Sequence, residues 1–334
     1  MRIAKWDNVK FVLIYLVVLG HMIASFDVDS GWLTGTHLFI YSFHMPAFLF
    51  VSGLFSKNSI RQKRIDKAMV YLVLYVFMKA FRFVVYSLMN GKLSKVSLFE
   101  ESGVPWFALA VFFYYLITMA ISSWKPVYAL VFFAGLGIFA GYDSNLGSFL
   151  SGMRVLTMYP FFLAGYYLDA TALKEKLEKL WVRLVAAAVF IAAYALCILF
   201  RDDIRPFLGL MKGKAGYEAL DIMPYGGFYR LGYYVIAMLL LLCVISVVPS
   251  FDSIFAKWGG RSIQVYALHF PIIIYLVDKL GIEKLCSRLM PEHYTVLVPF
   301  LALLLTVVLS LVIFAPFFKA LQNPVRKNEP DSTK

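Results

Sequence analysis

The chain has 334 residues, 61% hydrophobic and 16% charged, with a mean hydropathy of +0.75 and a formal net charge of +12. Soluble domains hold close to half apolar and about a quarter charged residues, which excludes a soluble enzyme. The basic excess is accounted for by loops facing anionic lipid and implies no nucleic-acid partner.

Ten apolar stretches approach or exceed the length that crosses a hydrocarbon core of about 30 Å at 1.5 Å per residue. They are residues 8–26, 37–56, 68–90, 106–123, 126–142, 155–170, 182–200, 231–248, 263–278 and 295–318, of which the fifth and sixth are short. They predict an all-α polytopic membrane protein. With the N-terminus inside, 19 of the 32 Lys and Arg residues fall on the inner side, and Lys79 and Arg82 lie within the third stretch. That asymmetry places both termini in the cytoplasm. The first stretch reads as a signal anchor, residues 1–318 as a membrane domain and 319–334 as a short polar cytoplasmic tail. The longest outer segment, 201–230, carries Asp202, Asp203, Glu218 and Asp221 and is the natural cap for an outward-facing site. Cys197, Cys243 and Cys286 are too scattered to suggest a disulfide framework, and no metal-ligand cluster or nucleotide fingerprint is present.

In the first stretch His21 interrupts the run LVVLGHMIASF. An ionisable group at membrane depth costs several kcal/mol unless a cavity or a partner receives it, and an interhelical hydrogen bond is the plain alternative. Lys10 precedes His21 by eleven residues, which at 100° per residue returns to within about 20° of the same face and about 16 Å along the axis. Asp7 falls about 40° from that stripe. The second stretch, FIYSFHMPAFLFVSG, holds His44 at a similar depth, and Pro46 is expected to loosen the helix near Ser42 and free carbonyls beside it. His37, a heptad before His44, reads as a rim residue.

The segments WDNVKFVLIYLVVLGHMI, FHMPAFLFVSGLFSK, RQKRIDK, PWFALAVFFYYL, YPFFLAGYYL and WGGRSIQVYALHFPI, in this order and spacing, resemble the integral-membrane acyltransferase family three, in particular its fucose 4-O-acetylase-related branch. The resemblance covers residues 5–318. It implies a ten-helix enzyme of the bacterial plasma membrane that takes acetyl groups from cytoplasmic acetyl-CoA and places them on hydroxyls of surface carbohydrates, with no metal. His21 matches the family's first-helix histidine. Lys10 matches a position that is often Arg, and as a point charge it lacks the planar fork of a guanidinium.

That chemistry suits the residue types. A sugar hydroxyl attacks a thioester only as its proton leaves, and an imidazole titrating near neutrality takes that proton. The catalytic candidates are therefore His21 and His44. The phosphates of acetyl-CoA favour the basic inner mouth, where Lys10, Arg61 and Arg64 collect. Arg82, deep in the third stretch, and Arg154, entering the sixth, are candidates for the acceptor or the tetrahedral oxygen. Lys79 reads as a neighbour that pairs or snorkels, His269 as a packed, hydrogen-bonded residue, and Trp106 and Tyr159 as belt or packing aromatics. The competing reading is a transporter with a His and Arg pathway, but matched halves with interrupted helices are not evident.

Overall fold

Within lipid a backbone N–H or C=O has no water to bond, and the α-helix satisfies each of them inside its own segment. The computed structural model describes residues 4–26, 30–101, 103–147 and 149–322. Arg2 and the tail cations Arg326, Lys327 and Lys334 lie outside them. Helix α1 runs Ala4–Phe26, α2 Gly31–Arg61 and α3 Ile65–Asn90. The shorter α4, Trp106–Ala120, α5, Pro126–Ala140, and α6, Gly152–Tyr167, follow. Helix α7, Ala170–Leu177, is capped by the Asp169 carboxylate and leads into α8, Leu180–Leu199. The 201–230 segment contains α9, Arg201–Ile204, and α10, Leu208–Lys212, before α11, Gly226–Val247. Helices α12, Ile254–Gly259, α13, Ser262–Ile274, α14, Ile282–Leu289, α15, Leu297–Leu309, and α16, Ala315–Gln322, complete an all-α polytopic membrane protein.

Helices α1, α2, α3, α8 and α11 are each long and apolar enough to cross a membrane. Two further candidates are bent, by 62° between Ser262–Lys279 and Ile282–Leu289, and by 47° between Tyr294–Leu309 and Val312–Leu321. The stretch 295–318, expected to be one helix, is therefore broken at Ser310 and Leu311. The carbonyls released there are taken up by side chains. Arg261 donates to Ser310 O at 2.9 Å, and Gln264 Nε2 donates to Leu309 O at 2.7 Å and Leu311 O at 3.0 Å. A break at membrane depth is tolerated when the freed groups are buried and bonded in this way. Pro46, by contrast, leaves α2 unbroken, and Ser42 Oγ donates to Phe39 O at 2.6 Å.

The centre of the bundle is built on α1 and α2, whose apolar windows are 61% and 72% buried, while α8 buries only 11% and presents its surface outward. Glycine decides how closely α2 meets α6. A Cβ on Gly53 would overlap the Phe162 carbonyl, and one on Gly165 would overlap the Phe50 carbonyl. The two backbones thus touch directly, which provides the packing contact that lipid alone does not drive. Gly259 of α12 meets the Asp7 carbonyl of α1 in the same manner. The start of α1 is locked by the end of α11 and the segment after it: Lys5 Nζ donates to Ser246 O and Val248 O, and Asn8 Nδ2 donates to Pro249 O and Phe251 O.

Candidate functional site

Helix α1 turns one face to open space. Lys10, Ile14, Val17, His21 and Ala24 follow each other at intervals of four, three, four and three residues, the spacing of a single helical stripe, and all of them line cavities. The first cavity, about 280 Å³, has Lys10 at one end and is walled by Phe48, Phe55, Tyr71 and Phe107. The second, about 400 Å³, holds His21, His44, Trp106, Arg154 and Lys212. Val17, Met45 and Tyr266 line both, so the apolar chamber beside Lys10 meets the polar chamber around the two histidines.

His21 is set by ring contacts. Its centroid lies 5.3 Å from that of His269 and 5.0 Å from that of Phe270, and the ring makes no hydrogen bond among the described residues. His44 is held by its own helix, with Nδ1 2.6 Å from Ile40 O and the ring edge-on to Tyr41 at 4.8 Å. The backbone contact makes Nδ1 the donor and leaves Nε2 as the basic atom of His44. His269 is buried with Nδ1 on Tyr266 O at 2.9 Å and Val265 O at 3.1 Å, while Nε2 has no partner among the described residues. The packing of α13 against α1 sets His269 beside His21. Tyr266 is tied to α4, its hydroxyl donating to Val104 O at 2.8 Å and accepting from Ala108 N at 3.2 Å.

Arg154 joins two connecting segments at the cavity rim. Its Nη1 donates to Gly103 O at 3.1 Å, its Nε to Lys212 O at 3.3 Å, and the guanidinium lies 5.1 Å from the Trp106 ring centroid. The other candidates lie apart. Arg82 is half-buried beside Gly103, where an added side chain would meet its Nη1, and it lines neither the first cavity nor the second. Its neighbour Lys79 is fully buried and pairs with Glu101 at 2.7 Å. Arg61 and Arg64 are exposed at the turn between α2 and α3, and Arg64 pairs with Asp66 at 2.8 Å. Lys10, half-exposed at the first cavity, pairs with Asp7 at 2.6 Å. Tyr159 packs in the core against Phe133 and bonds Thr118.

Sequence reasoning passed over Lys212 and Lys214, which line the second cavity from the 201–230 segment. The available signal was their placement on either side of Gly213 in the longest connecting segment. Among the described residues no group of His, Cys, Asp or Glu is arranged to hold a metal ion.

The family model described as Acyltransferase domain matches residues 3–316. The chain is 28% identical over 216 residues to the nodulation protein NolL of Sinorhizobium fredii, an alignment covering 60% of this chain and 57% of that protein. It is 27% identical over 140 residues to the NolL of Mesorhizobium japonicum, covering 37% of each. The chain thus spans little more than half the length of the first relative and about a third of the second. No solved structure matches it. With a family match over nearly the whole chain and an all-helical, multi-pass architecture, the chain belongs to the membrane acyltransferase family.

Proposed function

We propose that the protein transfers an acetyl group from cytoplasmic acetyl-CoA to a hydroxyl of a cell-envelope or secreted carbohydrate, with His21 as general base, in a bacterial plasma membrane. The observation that carries this reading is the pair of adjoining cavities threaded by one stripe of α1, with Lys10 in one and His21 and His44 in the other. Lys10 and His21 are separated by about 16 Å of helix, a span suited to an extended pantetheine arm. In this reading Lys10 meets a CoA phosphate at the inner mouth, the exposed Arg61 and Arg64 add positive potential there, and the arm lies along the apolar wall of the first chamber.

The chemistry then follows from the second chamber. The basic nitrogen of His21 takes the proton of the sugar hydroxyl as its oxygen attacks the thioester carbonyl. The tetrahedral intermediate carries a negative oxygen, for which Arg154 is a guanidinium on the lining of the same chamber; Arg82, beside Gly103, contributes at longer range. Collapse breaks the carbon–sulfur bond, and the departing thiolate recovers the proton from the imidazolium. His44, whose Nε2 bonds no group among the described residues, shares the chamber and orients the hydroxyl. The test is direct: purified protein incubated with radiolabelled acetyl-CoA and envelope glycan releases free CoA and yields labelled glycan. Absence of both, with folded protein, refutes the reading. Mass spectrometry of envelope glycans from cells with and without the protein then identifies the acetylated sugar.

A further inference from the structure

Four successive carbonyls at the end of α10, the last on its C-cap residue Gly213, are each held by a side chain of the bundle. Arg230 donates to Leu210 O, the Tyr233 hydroxyl to Met211 O at 3.2 Å, Arg154 Nε to Lys212 O at 3.3 Å, and Thr157 Oγ1 to Gly213 O at 3.5 Å. Gly213 has φ +63°, a region that glycine enters without strain, and a side chain there would also meet Thr157 and Met158. The Lys-Gly-Lys turn is therefore a fixed wall of the His21 cavity. It sets Lys212 over the Tyr41 ring at 4.9 Å and places Lys214 on the same lining.

Neither lysine has a task in acetyl transfer as described above. No carboxylate lines this cavity among the described residues, and nearby Glu101 is taken by Lys79. Lys212 lines the same cavity as His21 and His44. Buried Arg154 and half-buried Lys212 lose hydration, and with the exposed Lys214 beside them they repel each other, an arrangement that a bound anion relieves.

We propose that Lys212 and Lys214, with Arg154 behind them, form an anion subsite in the acceptor half of the cavity, so that the acceptor is a sugar carrying a carboxylate or phosphate close to the acetylated hydroxyl. This rests on the acetyl-transfer reading for its meaning, but it is tested without turnover. Full-length protein in detergent is heated with glucose, glucuronate, glucose 1-phosphate or acetyl-CoA, each well above its working affinity, where ligand binding raises the melting temperature.

At least one charged sugar is expected to raise Tm by a few degrees more than glucose. The more effective of the two names the carboxylate or the phosphate as the recognised group. Lys212→Gln/Lys214→Gln should lose that shift and keep the response to acetyl-CoA, and Lys212→Arg/Lys214→Arg should restore it. If the glutamine pair fails to fold, Lys212→Gln and Lys214→Gln are measured singly. The proposal is overturned if neither charged sugar exceeds glucose, if the glutamine variants shift as the wild type does, or if they lose the acetyl-CoA response, which would assign the lysines to the CoA phosphates. Failure of the acetyl-transfer reading is seen separately, as no CoA release by the wild type.

Discussion

His21 on α1 and His269 on α13 stand with ring centroids 5.3 Å apart at an interplanar angle of 42°. Because His269 is anchored through Nδ1 to two carbonyls of its own helix, its ring is a fixed surface against which His21 is set. The proposed reaction makes His21 the general base, and on that proposal its substitution should show in turnover and not in stability. His21→Ala and His21→Gln should both lower kcat by about 10² to 10⁴ fold while Tm and acetyl-CoA binding hold. An active His21→Gln protein would remove the assignment and leave His44 as the next candidate.

Lys10 faces the first cavity and is balanced by Asp7. A phosphate contact made equally in ground and transition states affects binding alone, so Lys10→Ala should raise the KM for acetyl-CoA more than it lowers kcat. Lys10→Arg should be mild. Steady-state kinetics with acetyl-CoA varied is the measurement, and an unchanged dependence on acetyl-CoA makes Lys10 a membrane anchor only.

Lys79 and Glu101 form an ion pair at full burial. Removing one partner strands a charge, so Glu101→Gln should cost about 3–5 kcal/mol of stability. Combining Glu101→Gln with Lys79→Met removes both charges and should recover a large part of that loss. Thermal scans of the two single variants and the double variant in detergent close this cycle; equal, additive losses would show that the pair is not coupled.

The backbones of α2 and α6 touch at Gly53 and Gly165. A methyl group at either position must push two helices apart, and overpacking typically costs about 1–3 kcal/mol. Gly53→Ala and Gly165→Ala should each lower Tm and folded yield, whereas Gly135→Ala, where nothing lies within 4 Å, should not. Tolerance of Gly53→Ala would mean that the helices pack less closely than they do here.

Lys212 lies outside the spans, and burial, followed by Lys214 and Arg154, lowers its pKa from the ordinary 10.5 to about 8. Between those values the unfolded chain holds a proton that the folded protein has released, so this group makes stability rise with pH across that window. Lys212→Met should raise Tm near neutrality and flatten the rise between about pH 8 and 10.5. The difference is small because the side chain is half-exposed and screened. Parallel wild-type and Lys212→Met curves would show that Lys212 does not titrate in this range.

The all-helical membrane architecture was determined by local sequence, since hydropathy decides which segments leave water and the helix is the way a single segment satisfies its backbone there. The stripe from Lys10 to His21 was equally legible, because the 3.6-residue period is a property of one helix, and His44 followed from its depth in the next. Tertiary structure alone decided that His269 stands beside His21, that Glu101 answers Lys79, that Arg261 and Gln264 cover a break at Ser310, and that Lys212 turns back into the cavity. None of these has a local signature. Each depends on the order in which helices surround α1 and α2, and that order is set by close approaches such as Gly53 with Gly165 between segments far apart in the chain, where neither period nor hydropathy carries information.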